Sequence, residues 1–379
     1  MIQSPEPPSR RVSVMVAYQH LPHYRKDVFQ QLEATPGLDV HFVADVEARG
    51  GIKTLDGAEL HRFSAVRNRW CGSWLWQQGL VRLWLRELPD VTIALGDVRY
   101  VSTWVLAALS RMTGRRTYFW THGWTRQEGG PKRALRMAFY RLADGLLVYG
   151  DYARRYGAGL GYSENRMVTV YNSSAVSDQQ DEPEWAERLP ARDAATYIGA
   201  VLRLSPGKQL GDIVRAAAAL RHDGRADVEV LLVGNGPDEE RLVGLAAELG
   251  VPLHLPGAAY GEDSLREVYD RLACTVVPDL AGLSAIQSLR MGVPVVTHDD
   301  PTHQAPESES VVPGVTGEVF PRGNVDDLVD AIDRCLQRLA VDPAGVAAAC
   351  RAEVEERWNA RAQVERIVPV ITHGMPLER

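Results

Sequence analysis

The chain has 379 residues, more than one ordinary core serves and enough for two domains of average size. With 45% apolar and 24% charged residues and no low-complexity tract it reads as globular, which excludes a fibrous or intrinsically disordered chain. Its net charge of −7 is uneven: 24 Lys and Arg stand against 20 Asp and Glu through Leu189, and 18 against 29 beyond it, so the two halves present different surfaces.

Cys71, Cys274, Cys335 and Cys350 have no CxxC or other metal-like spacing, which predicts reduced thiols in a cytoplasmic protein. The start, MIQSPEPPSRR, has no apolar stretch of the kind a secretion signal needs, and no run approaches the length of a membrane span. Heavy use of Ala and Arg points to a GC-rich bacterial genome.

Taken in order, Val12 to Ala17 reads as a buried strand, followed by a loop, Tyr18 to Arg25, and a helix from about Asp27 to Leu32. Val40 to Ala44 is a second strand. A segment with Trp70, Trp74, Trp76 and Trp84 among Arg67, Arg69, Arg82 and Arg86 comes next. Strands at Val91–Leu95, Arg116–Trp120, Leu146–Tyr149 and Met167–Val170 then alternate with helices near Val101–Arg111, Lys132–Leu142 and Asp151–Ala158. Such alternation implies a parallel sheet covered on both faces.

Between Gln179 and Arg192 the pattern lapses into an acidic stretch with two prolines, read as a linker. Alternation resumes with strand Thr196–Val201, helix Gln209–Arg221, strand Val228–Gly234, helix Asp238–Leu249, strand Pro252–Leu255 and helix Ser264–Leu272. Strand Cys274–Val277, the break Pro278 to Gly282, helix Leu283–Met291 and strand Val293–Thr297 follow, and two helices, Val325–Leu339 and about Ala344–Trp358, close the chain. The fold class is α/β, with domains at 1–178 and 193–358, a linker at 179–192, and a tail at 359–379 that can return to the first domain.

The unit from Cys274 to Asp300 carries the chemistry. A helix beginning near Gly282, Leu283 and Ser284 offers free backbone N–H groups and the positive end of a dipole to an anion. Asp279 and Gln287, eight residues apart, can face one pocket at the strand's carboxyl end, where ligands sit in open α/β sheets. Here the sequence resembles the family-4 retaining glycosyltransferases of the GT-B fold, whose mark is Glu-x7-Glu, a helix, and Gly-x-Pro-Val-Val. Gly292-Val293-Pro294-Val295-Val296 matches in full, whereas the acidic pair is Asp279 and Gln287. The resemblance implies two facing Rossmann-like domains with a cleft between them, the first binding the acceptor and the second a nucleotide-diphospho-sugar. It puts Asp279 near donor-sugar hydroxyls and Gln287, which brings no charge, near the ribose.

Arg203 and Lys208 stand five apart across the turn after strand Tyr197–Val201, so both cations can reach one diphosphate, and the family's Arg-x4-Lys binds it there. Gly234-Asn235-Gly236-Pro237 resembles the family's Gly-x-Gly-Pro; a loop glycine pair permitting positive φ accounts for it equally. Glu309, five before Gly314, resembles the family's loop glutamate beside the donor. His122, in Thr121-His122-Gly123-Trp124, matches a family position next to the reacting sugar, and an imidazole can accept or relay a proton there. His20, His23 and Arg25 occupy the loop where many relatives carry a glycine pair for the donor phosphate, so any contact passes to side chains. His298, Asp299, Asp300 and His303 gather metal-ligand types within six residues, but a loop after a strand needs turn formers, and no metal or other cofactor is expected.

Lys132, Arg133, Arg136 and Arg141 share a helix with Leu135, Met137, Phe139 and Leu142. Such a helix can rest weakly on an anionic membrane, as relatives with lipid-linked acceptors do, or cover the sheet and solvate its charges. The Trp and Arg segment can serve the same end or stack on a sugar. The implied function is metal-independent glycosyl transfer with retention, from a nucleotide-diphospho-sugar to a hydroxyl on a sugar, a lipid-linked sugar or a small metabolite; no nucleic-acid partner is expected. Two alternatives remain: a non-catalytic GT-B scaffold or activator, consistent with the weakened acidic pair, and a nucleotide-sugar 2-epimerase.

Overall fold

Runs of β-branched and apolar residues that are buried on both faces form parallel strands, and amphipathic stretches between them form the helices that cover the sheets. The structure is a computed structural model; it describes residues 10–47, 53–125, 128–173, 185–192 and 195–375. The chain divides into two compact units, residues up to 175 with 360–379 in one and 176–359 in the other. Among the described residues no helix is long and apolar enough to cross a membrane.

The first unit runs β1 (Val12–His20), α1 (Lys26–Ala34), β2 (Leu38–Asp45), β3 (Phe63–Ala65), β4 (Arg67–Cys71), β5 (Trp74–Gln78), α2 (Leu80–Glu87), β6 (Val91–Leu95), α3 (Val101–Met112), β7 (Arg116–Thr121), α4 (Gly130–Leu142), β8 (Gly145–Val148), α5 (Asp151–Gly159) and β9 (Met167–Thr169). Its parallel sheet has the order β3-β2-β1-β6-β7-β8-β9, so the direction of winding reverses between β1 and β6. Successive residues alternate between two cores. Val14, Val16 and Tyr18 of β1 enter one, and Met15 and Ala17 the other.

The second unit runs β10 (Thr196–Val201), α6 (Gly211–His222), β11 (Val228–Val233), α7 (Glu239–Leu249), β12 (Leu253–His254), α8 (Glu262–Tyr269), β13 (Leu272–Val277), α9 (Leu283–Met291), β14 (Val295–His298), β15 (Gly317–Phe320), α10 (Val325–Val341) and α11 (Pro343–Arg357). A last helix, α12 (Ala360–His373), belongs to the first unit. The second sheet has the order β12-β11-β10-β13-β14-β15, again all parallel, with its reversal between β10 and β13. This is the doubly wound arrangement, which binds ligands outside the carboxyl ends of the strands at the reversal.

Several sequence expectations need correction. The first strand continues through Tyr18, Gln19 and His20, with a register shift between Ala17 and His20, so His20 sits at a strand end rather than in a loop. Leu272 opens β13 instead of closing a helix. Three helices, not two, end the chain, because α12 tolerates Pro369 and buries Val364, Ile367, Val370 and Ile371 along one face. The Trp segment is an antiparallel hairpin, β4 with β5, that exposes Trp74 and Trp76, whereas Trp84 is a core residue whose Nε1 donates to Thr92 Oγ1 at 2.8 Å. Residues 179–184 of the expected linker lie outside the described residues, as does the start, 1–9; Trp185–Arg188 forms a short 3-10 turn.

Candidate functional site

In the second unit the loops leaving β10 and β13 lie at the reversal point. Arg203 is exposed and Lys208 half-buried on the first of these loops, which closes in a 3-10 turn at Pro206–Lys208 with Gln209 in the left-handed region at φ 52°. Among the described residues neither cation pairs with a carboxylate. The loop is held by backbone hydrogen bonds, Leu202 N to Val233 O at 2.9 Å and Leu204 N to Asn235 O at 3.1 Å.

Gly234 and Gly236 account for that close approach. A Cβ at Gly234 would meet the Leu202 carbonyl oxygen at 1.9 Å, and one at Gly236 would meet that of Leu204 at 1.8 Å. Gly234 also has φ 148°, inside the region that favours glycine. The pair therefore lets the Arg203 loop lie flat against the β11 loop.

After β13 the chain bends through Pro278 and the half-buried Asp279, and α9 begins at Leu283. Its N-cap, Gly282, supplies no side-chain acceptor, so the amides at Leu283 and Ser284 are uncapped and the positive end of the helix dipole is open. Asp279 makes no hydrogen bond or ion pair among the described residues. Gln287 is half-buried on the second turn, its Oε1 accepting from Tyr269 Oη at 3.5 Å. Glu309 is half-buried on the 3-10 turn Pro306–Ser310.

Sequence reasoning missed Gln304. It is buried just after the 3-10 turn Pro301–His303 that follows β14; its Oε1 accepts from Ala281 N at 2.8 Å, and its Nε2 donates to Thr297 Oγ1 at 2.8 Å and His298 O at 3.0 Å. This one side chain ties the Asp279 loop to the next strand. Thr275 Oγ1 and Ser288 Oγ, 2.7 Å apart and buried, clamp α9 to β13.

The expected metal-like cluster is spent on a turn. Asp300 caps Pro301–His303 by accepting from Thr302 N at 2.9 Å, and its other oxygen takes His303 Nδ1 at 2.6 Å. These bonds, the Thr302 hydroxyl first, hold the Asp300 carboxyl down at about 2. His298 is buried, and its Nδ1 accepts from Asp300 N at 3.2 Å; desolvation, then Arg322, lowers its pKa. No cluster of His, Cys, Asp and Glu suited to a metal forms among the described residues.

In the first unit, Arg25 and His122 come together at the carboxyl edge of the sheet. Arg25 is 4% exposed; its Nη2 donates to Asn172 Oδ1 at 3.2 Å, and its guanidinium carbon lies 5.0 Å from the Trp120 ring centre and 4.8 Å from that of Tyr149. The His122 ring packs on the other partner of that contact, 4.6 Å from the Tyr149 centre. His122 has an exposed surface, yet desolvation first, and the Arg25 charge second, lower its pKa to about 4. His20 is buried, and desolvation lowers its pKa against the opposing pull of Asp45. His23 is half-buried in the turn before α1. On α4, Arg136 is taken up by Glu128 through two bonds of 2.6 Å, which leaves Lys132, Arg133 and Arg141 as the exposed cations of that helix.

Residues 181–339 match the family model described as glycosyl transferases group 1. No match is found among curated protein sequences. Among solved structures, the apo lipopolysaccharide outer core galactosyltransferase WaaB is similar with a TM-score of 0.70 at 14% identity, over 95% of this chain and 99% of that one. HepE of Anabaena, solved in complex with UDP, gives 0.69 at 16% identity over 95% and 100%. A glycosyltransferase from Rickettsia africae gives 0.69 at 14% over 96% and 98%. With two Rossmann-like units in the strand orders above, the chain has the GT-B fold.

Proposed function

We propose that the chain is a retaining glycosyltransferase that moves a sugar from a nucleotide-diphospho-sugar to a hydroxyl acceptor without a metal. The observation that carries this reading is the pairing, at the reversal point of the second sheet, of two cations without a carboxylate partner among the described residues, Arg203 and Lys208, with the uncapped start of α9. Breaking the anomeric bond leaves an oxocarbenium-like sugar and a diphosphate gaining charge, so positive potential fixed in advance lowers the barrier. Arg203 grips through a planar fork, Lys208 acts as a point charge, and the α9 amides donate to phosphate or sugar oxygens. Asp279 then accepts from sugar hydroxyls, and Gln287 hydrogen-bonds the ribose in its uncharged form. In the family's mechanism the departing phosphate takes the acceptor proton, and His122, neutral at pH 7, lines the acceptor side. The match to glycosyl transferases group 1 and the likeness to a UDP-bound structure support the reading.

A thermal-shift panel of UDP, GDP, dTDP and their common sugars, on the wild type and Lys208→Ala, tests it. Binding to the folded state alone raises the midpoint by mass action, and a selective shift that disappears in the variant is expected. No shift at millimolar ligand sinks the reading and favours the second one, a non-catalytic subunit, to which the exchange of an acid for Gln287 also points. Gln287→Glu separates the two further, because a working site changes donor affinity or rate and a decayed one gains nothing.

A further inference from the structure

Arg25 is a buried cation with no counter-ion among the described residues. Its guanidinium is enclosed by Tyr24, Trp120 and Tyr149, with ring centres 5.8, 5.0 and 4.8 Å away, and among the described residues no carboxylate pairs with it. Its Nη1 is buried with no hydrogen-bond partner, and so is Nε1 of Trp120. Ring faces attract the cation but take none of the in-plane N–H bonds that its fork offers. Two buried donors left open in one cluster, one of them charged, are costly unless something accepts from them.

We propose that Arg25 and Trp120 form an anion subsite that receives a carboxylate or phosphate group of the acceptor. The guanidinium fork matches either group by two parallel bonds, and the Trp120 indole N–H is a second open donor in the same cluster. Tyr24, 37% exposed, has its ring centre 5.8 Å from the guanidinium carbon and its hydroxyl interacts with that group; a change of its rotamer, a motion of the nanosecond range for a surface side chain, would open the guanidinium from that side. The assignment to the acceptor rests on the proposed function, in which the donor diphosphate is served by Arg203, Lys208 and α9 of the other unit. It narrows the acceptor class to acidic sugars and phosphorylated compounds.

The test follows the Trp120 indole N–H resonance of the full-length chain, assigned through Trp120→Phe, during titration with glucuronate, glucose 6-phosphate, glucose and UDP. Glucuronate or glucose 6-phosphate should move it saturably and glucose should not. Arg25→Gln should weaken the acid by at least about tenfold, Arg25→Lys by less; both should keep the wild-type resistance of residues 10–173 to limited proteolysis, which shows that the first unit folds, and both should still bind UDP. The proposal fails if glucose acts like the acids, if the acids act equally on Arg25→Gln, or if neither acid moves the resonance. It also fails if UDP moves it and Arg25→Gln weakens UDP, since the anion is then the donor's. Binding of acids without any binding of UDP upholds the subsite and overturns the glycosyltransferase reading.

Discussion

Two effects lower the pKa of His122 in one direction, desolvation first and the Arg25 cation second. The unfolded imidazole binds its proton near 6.5 and the folded one near 4, so as the pH falls from 6.5 through 4 the unfolded chain takes the proton first and stability declines. Above 6.5 this contribution is constant. The His122 ring resonances, followed by NMR, should titrate with a midpoint near 4, and in Arg25→Gln the midpoint should rise, since removing a cation favours imidazolium. A wild-type midpoint at 6.5 that Arg25→Gln leaves in place contradicts the geometry. The places of His122, Arg203, Lys208 and Asp279 were legible in the sequence because each stands in a loop that follows a buried strand; the roles proposed for them came from the family resemblance. Tyr149, Trp120 and Asn172 were not, because what they do is set by the strands that bring them to Arg25, and nothing local marks that.

At the scale of elements, the loops at the end of the second sheet are positioned by contacts that bind no ligand. Gly236→Ala places a methyl group against the Leu204 carbonyl, and overpacking of this kind costs about 1–3 kcal/mol. The variant should melt lower and also lose affinity for nucleotide, because the backbone that yields carries Arg203. Unchanged binding would show that the loop tolerates displacement. Gln304→Leu leaves Ala281 N without its acceptor at a buried site, at about 1–3 kcal/mol, and frees the Asp279 loop from β14. Turnover should fall more than nucleotide binding does, since Arg203 and Lys208 are untouched; equal losses in both would show that Gln304 serves only the fold. The glycines were visible in the sequence as a turn signal, though not as the seat of the Arg203 loop. Gln304 gave no signal at all, because a lone glutamine after a turn carries no periodicity and its partners are set by tertiary contact.

Over the whole molecule, alternation of strand and helix sufficed to predict two doubly wound sheets, since a parallel strand requires a crossover and a crossover of this length is a helix. The same logic misses elements that break alternation. The β4–β5 hairpin lacks a helix between its strands, and α12 follows α11 with only Trp358 and Asn359 between them. Yet α12 bears an apolar period at Val364, Ile367, Val370 and Ile371, all buried in the core that β1 and α1 share. Gln363, fully buried, donates to Tyr171 O and accepts from Ser173 Oγ at 3.2 Å, fastening the helix to the end of the first unit. Burial of four such apolar side chains, at about 1.5–3 kcal/mol each, is comparable with the ~5–15 kcal/mol that stabilises a whole domain. A chain ending at residue 359 should therefore lose the first unit selectively: limited proteolysis should cut within 10–173 while 185–359, whose cores contain no residue of α12, stays protected. Ile367→Asp, which buries a charge at a position 0% exposed, should do the same in the full-length chain. If either protein keeps the first unit as resistant as the wild type does, α12 is an accessory cover, and the unit's core is complete without it.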